Sequence, residues 1–220
     1  MLRWIDRFAN SSIGRKALMA VTGLLLIGFR LVHALGNLTL YADQDGSAFD
    51  AYVESIGGLP ILPLAEAGLA LLFLVHIFLA VRTTLENRKA RPVAYRATGT
   101  HGQKTLASTG MFVSGVVILG FLIKHLLDFR LRKAEFEEAP HESIVEAFQS
   151  MPTVAIYVVG CTALGFHLFH AIQSAAQTLG INHPKYTPAI TWFGRIFGIV
   201  LALLFASFPL VYMVKNGGTH

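Results

Sequence analysis

The sequence predicts an all-α membrane protein: five transmembrane helices, four of them a histidine-bearing, cofactor-binding bundle with the fifth alongside. Three observations carry this. Of the 220 residues, 54% are hydrophobic and 14% charged, where soluble domains carry about 25% charged residues. Five apolar stretches, near 17–41, 59–82, 105–129, 153–177 and 189–214, each reach the roughly 20 residues a helix needs to cross a hydrocarbon core. Four of the five hold internal histidines, which are costly in a bilayer and mark candidate functional sites there. Their length and the turn residues between them favour helices over barrel strands. Residues 1–220 read as one domain.

In chain order, residues 1–16 form a basic lead with Arg3, Arg7, Arg15 and Lys16 against Asp6, and Trp4 and Phe8 suit an interface. The first apolar run is longer than the roughly 7–15 residues of a signal h-region, so a retained span is expected. That span holds Arg30 and His33. The loop 42–58 carries Asp43, Asp45, Asp50 and Glu54 and no Lys or Arg. The second span holds Glu66 and His76, and the following loop is basic through Arg88, Lys89, Arg91, Arg96 and Lys104. Lys124 and His125 lie in the third span. The next loop is mainly acidic, and within it residues 141–149 read equally as a surface helix or a polar loop. The fourth span holds Cys161, His167 and His170. Lys185 and Arg195 flank the start of the fifth. No internal repeat, low-complexity tract or soluble domain stands out.

Basic loops stay on the cytoplasmic side. The lead and the second and fourth loops are therefore expected inside, and the C-terminus outside. The net charge of +5 follows this topology and gives no argument for nucleic acid. Cys161 is the only cysteine, which excludes an intrachain disulfide, a cysteine-ligated iron–sulfur cluster, a CxxC pair and covalent CxxCH haem attachment.

At 1.5 Å per residue, His33 and His125 lie about 24 and 30 Å from the inner ends of their spans, and His76 and His167 about 9 and 15 Å. Four helices thus supply an outer and an inner pair of histidines. This suits two b haems, each clamped by imidazoles from two helices, an arrangement that transfers electrons rather than binding oxygen. One membrane histidine alone reads as readily as an interhelical hydrogen bond; four, paired by depth, weaken that reading. A zinc or copper site would gather its ligands at one depth, often with carboxylate or sulfur. His167 and His170 compete for the fourth place. His167 has a face of small residues, Gly160, Ala163, Ala171 and Ser174, whereas Phe166, Gln173 and Gln177 crowd His170. The ligand is assigned to His167.

At this point the chain resembles the cytochrome b558-type membrane subunit of succinate:quinone oxidoreductases and fumarate reductases, the five-helix, two-haem kind. The segments that carry the likeness are SIGRKALMAVTGLLL, RLVHALGNLTLY, LVHIFLAVR, IKHLLDF and FHLFHAIQSAAQTLGINHP. The resemblance implies that His33 and His125 hold the distal haem, and His76 and His167 the proximal one. The family spacing of its fourth-helix ligand to a Gly-Ile exit matches His167 to Gly180, and His170 is a departure from its pattern. The resemblance further implies a bacterial cytoplasmic membrane, an FAD flavoprotein subunit that interconverts succinate and fumarate, and an iron–sulfur subunit on the cytoplasmic face. The anchor would have no activity alone and would exchange electrons with quinone, menaquinone rather than ubiquinone by analogy. An oligomeric complex is compatible with it.

Arg30 and Lys124 are candidate partners of haem propionates, with snorkelling to headgroups as the plainer account. His170 is a candidate for a similar contact. Arg15, Lys16, Lys104 and His183 are weaker candidates on the inner side. Glu66 reads as the only carboxylate clearly inside a span and is a candidate proton acceptor at an outer quinone site; the plainer account is an interfacial acid reaching water. Gly23, Gly28, Gly36, Gly115, Gly120 and Gly165 permit close approach of helices or of a flat ring. Two other identities stay open. One is the cytochrome b subunit of a hydrogenase or formate dehydrogenase. The other is a haem-free anchor or transporter whose histidines serve packing or proton relay.

Overall fold

In a computed structural model, described here for residues 3–89 and 106–217, the chain is helical throughout, with no strand among the described residues. The helices are α1 Arg3–Asn10, α2 Ser12–Asn37, α3 Ser47–Gly57, α4 Leu62–Lys89, α5 Leu106–His125, α6 Lys133–Glu138, α7 Pro140–Ala147, α8 Met151–Thr178 and α9 Thr187–Gly217. A 3-10 turn extends α2 through Leu38–Tyr41, and a π-turn extends α5 through Leu126–Arg130. Five segments are long and apolar enough to cross a membrane: Ser12–Tyr41, Leu62–Lys89, Gly110–Arg130, Met151–Thr178 and Thr187–Lys215. Leu25, Val32, Leu71, Phe78, Val159, Trp192 and Leu203 are among many large apolar side chains left exposed along them. Water would oppose that surface and lipid favours it. The protein is a multi-pass membrane protein.

Helix ends follow local chemistry. α2 begins five residues before the expected span because the Ser11 side chain accepts from Gly14 N at 2.9 Å and caps it. α4 continues beyond the apolar run to Lys89, where Arg82 binds Glu86 one turn on, at 3.1 Å. Glu86 also receives Arg15, which is buried and reaches back to the Asn10 carbonyl. This latch ties α1, α2 and α4 at the basic end of the bundle. Arg91, Arg96 and Lys104 lie outside the described residues.

α8 is the hub. It packs against α2, α5 and α9, while α4 packs on α2. The α8–α9 seam depends on two glycines. A Cβ on Gly165 would lie 2.8 Å from the Ala202 Cβ and 3.1 Å from the Gly198 carbonyl oxygen, and one on Gly198 would lie 2.7 Å from the Gly165 carbonyl oxygen. Close approach of backbones is how membrane helices gain contact when burial of apolar surface gives no advantage.

The other end of the bundle is capped. α3, α6 and α7 close over it, and Leu40, Phe49, Phe129, Ile144, Phe148, Tyr157 and Tyr212 form a buried core there. The undecided stretch 141–149 is thus largely helix, in α7, held by Asp50 Oδ1 accepting from His141 N at 2.8 Å. Gly46 turns the chain into α3 with φ of 81°, a conformation that favours glycine. Asp43 closes the same turn, accepting from Ala48 N at 2.6 Å and Gly46 N at 2.8 Å.

Gly165→Val forces apart two backbones that cannot yield, and overpacking of this kind costs about 1–3 kcal/mol. A lowered thermal midpoint of the detergent-solubilised protein is expected, and an unchanged one contradicts the seam. The Ala48 N–H, with the Ser47 hydroxyl and Gly46 N–H, holds the Asp43 carboxyl below its usual range. A depressed carboxylate stabilises above its unfolded pKa, about 3.9, and the contribution is lost as pH falls through the lower folded value. The Gly46 and Ala48 amides should therefore keep their exchange protection, corrected for intrinsic rates, from pH 7 to 5 and lose it only below about pH 4.

Candidate functional site

The helix bundle brings the four expected histidines into two layers. In the layer nearer the capped end, His33 of α2 and His125 of α5 face each other with ring centroids 5.9 Å apart and planes at 84°. Phe29 stacks on His33 at 5.5 Å, and Phe205 of α9 lies 5.8 Å away. Phe121, Phe129 and Tyr157 surround His125. The Tyr157 hydroxyl lies 3.4 Å from His125 Nδ1 and donates to Asp128 Oδ2 at 2.8 Å. Asp128 is in turn paired with Lys124.

The π-turn directly after His125 makes this possible. Leu131 N donates to Leu126 O at 2.7 Å, one residue further than an α-helix allows. The extra residue lets α5 present Asp128 to Tyr157 and Arg130 to Glu66. Such turns recur at functional sites.

In the layer nearer the basic end, each histidine rests on a hydroxyl of a neighbouring helix. His76 Nδ1 of α4 lies 3.1 Å from Thr22 Oγ1 of α2. His167 Nδ1 of α8 lies 3.2 Å from Ser114 Oγ of α5. A glycine follows each hydroxyl. A Cβ on Gly23 would stand 3.3 Å from His76 Cε1, and one on Gly115 3.8 Å from His167 Cε1. His76 and His167 are within electrostatic reach of each other.

Arg30 lies among these groups, within electrostatic reach of His33, His125, His167 and Cys161. Its guanidinium lies 5.5 Å from the Phe73 ring centroid, and its buried Nε has no hydrogen-bond partner among the described residues.

Several expectations change. Lys124 is committed to Asp128, and Arg15 to Glu86, so neither is a free cation. Glu66 is paired with Arg130 and its side chain is 35% exposed. It is not the only carboxylate within a span, because Asp128 lies in the third one with its side chain 16% exposed. Gly160 does not leave room beside His167: the Phe121 ring fills its Cβ position. Gly165 faces α9, and Gly36 faces Tyr52. Open space lies instead over Gly28 and Gly120, each five residues before a histidine of the capped-end layer. His170 sits one turn past His167 and takes no hydrogen bond among the described residues. His183 accepts from Lys185 N in the turn before α9.

Thr22, Ser114, Tyr157 and Asp128 were not anticipated. For the first two a signal existed. MAVTGLLLIGFRLVH, ending at His33, aligns without a gap on MFVSGVVILGFLIKH, ending at His125. The two agree at Met, Val, both glycines, Phe and His, with Thr22 against Ser114. HIFLAV from His76 aligns likewise on HLFHAI from His167, placing His170 opposite Leu79. The bundle is a twofold internal repeat, α2 and α4 matching α5 and α8, contrary to the expectation of none.

No family model matches the chain, and no curated protein or solved structure matches it either.

Proposed function

We propose that this chain is the membrane-anchor cytochrome b subunit of a succinate:quinone oxidoreductase or fumarate reductase, carrying electrons between an iron–sulfur partner and membrane quinone through two b haems. The observation that carries the reading is the facing pair His33 and His125. Two imidazole nitrogens on one iron, each at the roughly 2.0–2.1 Å usual for imidazole–metal bonds, set ring centroids about 6.4 Å apart, so the observed 5.9 Å needs to open by only about half an ångström to admit the iron. Two further features fit the group. Arg30 offers an unpaired, buried guanidinium nitrogen to an anionic propionate. Thr22 and Ser114 take the Nδ1 side of His76 and His167, where metal-ligating histidines usually meet a hydrogen-bond acceptor.

Each haem, when bound, supplies a one-electron ferric–ferrous couple. The chain holds and insulates it. His33 and His125 would hold the distal haem, and His76 and His167 the proximal one. Phe29, Phe121, Phe129 and Phe205 keep water from the distal pair. Tyr157 and Asp128 orient His125 from behind. His170, opposite Leu79 in the repeat, stands outside the ligand set.

On this reading the basic end faces the cytoplasm of a bacterial cell and the capped end lies outside. The iron–sulfur and FAD-bearing flavoprotein subunits dock on the basic end, and dicarboxylate chemistry belongs to the flavoprotein. Glu66 is the proposed proton acceptor at a quinone site near the capped end, menaquinone being the expected quinone. Its ion pair with Arg130 must open or share the proton for it to serve. A haem-free anchor whose histidines serve packing is the competing reading, and the Thr22 and Ser114 hydrogen bonds are what it would use.

The purified complex should show low-spin b-type bands with two haems per chain; a colourless preparation rejects the proposal. His33→Ala or His125→Ala should remove one haem and His76→Ala or His167→Ala the other, while His170→Ala retains both, each read by haem stoichiometry and potentiometric titration. Glu66→Gln should leave both haems in place and lower quinol-linked turnover by about 10²-fold, the lower range for loss of a general base.

A further inference from the structure

We infer that Thr22 and Ser114 are positioning residues, a matched pair of hydroxyl clamps that fix the His76 and His167 rings with Nδ1 protonated and Nε2 turned toward the bound group. That the group is haem iron rests on the proposed function; the holding of the rings does not.

The proton inventory sets the tautomer. Thr22 Oγ1 has one proton, and the Leu18 and Met19 carbonyls lie 2.9 and 3.1 Å away to receive it. The Ser114 proton has the Met111 carbonyl at 3.0 Å. Each hydroxyl therefore meets the histidine with a lone pair. With its proton engaged by a carbonyl, each hydroxyl accepts, so the facing Nδ1 carries hydrogen. Both Nε2 atoms are left with free lone pairs, the form in which imidazole binds a metal.

Back-bonding to the preceding turn is common for Ser and Thr in helices, and it accounts for the donor half of each hydroxyl. It does not account for the same second contact in both halves. The pattern Met-x-Val-(Thr/Ser)-Gly occurs at 19–23 and again at 111–115. In each copy the hydroxyl of the fourth residue donates to the carbonyl of the first and lies against Nδ1 of a histidine. In each the fifth is glycine; a Cβ on Gly23 would press on the His76 ring, and one on Gly115 would just touch the His167 ring. The capped-end layer lacks this device: His33 is held by aromatic rings, and His125 by Tyr157 at 3.4 Å.

A hydrogen bond to the far nitrogen raises imidazole basicity, which favours the ferric state. Removing the acceptor should therefore raise the potential of the haem these rings hold. Thr22→Val and Ser114→Ala are made in the full chain within its complex, with Thr22→Ser and Ser114→Thr as conservative controls. Both haems should remain bound. One should shift toward the ferrous form by about tenfold, which is 59 mV for one electron, with altered low-spin EPR g-values as its ring loses its fixed plane. The other haem should stay unchanged, and the conservative variants should restore the parent values. Unaltered potentials and g-values in both variants overturn the clamp, as does failure of both controls to restore them. If Thr22→Val does not accumulate, Ser114→Ala, which deletes one oxygen, decides the matter alone by the same readouts. A colourless parent refutes the haem assignment, and nitrogen-15 NMR of that protein then tests the ring-holding separately: Nδ1–H on His76 and His167 supports it, and Nε2–H overturns it.

Discussion

A polar ring inside hydrocarbon must have its nitrogens answered by protein, since no water is present to do so and each unmet group costs several kcal/mol. The helix arrangement follows from that requirement. His76 and His167 sit where a hydroxyl of a neighbouring helix reaches Nδ1. His125 sits where Tyr157, itself answered by Asp128 and through it by Lys124, can do the same. Each arrangement leaves the second ring nitrogen without a hydrogen bond among the described residues. Arg30 shows the same economy incomplete, with a buried Nε that no described residue satisfies. On the proposed reading those second nitrogens and this guanidinium are the protein's half of a set of contacts whose other half is the haem.

The frame that holds the rings in place is built from close backbone approach. Gly165 and Gly198 let α9 lie against α8, which adds Phe205 to the wall beside His33. The π-turn at Leu126–Arg130 then changes the direction of α5 after His125 has been placed. It brings Asp128 and Arg130 onto faces that a regular helix would not give them, and the aromatic core beneath α3, α6 and α7 fixes the turn through Phe129. Tertiary packing and histidine geometry are thus coupled at the capped end, whereas at the basic end the rings depend mainly on two local hydroxyls.

The spans, and the grouping of histidines by depth, were legible because both depend on composition and a fixed rise per residue. The helix ends were less so: Ser11 capping and the Arg15–Glu86–Arg82 latch place charged and polar residues inside helices, where hydropathy alone would stop. Gly160 was misread because a small residue signals room without saying who takes it, and Phe121 takes it. Asp128 was overlooked because its partners, Tyr157 and Lys124, come from a different helix and from the turn before. The repeat was present in the sequence but hidden by exchanges among Leu, Val and Ile, which a lipid-facing surface tolerates freely. In α4 and α8 little survives beyond His, Phe and Ala. Contacts made the repeat visible, since two hydroxyls touching the same atom of two histidines is a coincidence only equivalent positions explain.

That repeat also shows where the halves stop being equal. Thr22 and Ser114 are equivalent in position and in contact. Arg30, by contrast, stands opposite Leu122, Glu66 opposite Tyr157, and Gly36 opposite Asp128. All three differences fall on charged or ionisable groups, and they lie from the middle of the bundle to its capped end. The repeat matches His33 with His125 and His76 with His167, so it equates the two rings within each layer and leaves the layers themselves different. Charge around one layer widens that difference, because a cation nearby favours the electron-rich state of its neighbour and an anion opposes it. On the proposed function, the repeat supplies matched ligands within each layer, and Arg30, Glu66 and Asp128, unmatched between the halves, add to the difference between the layers.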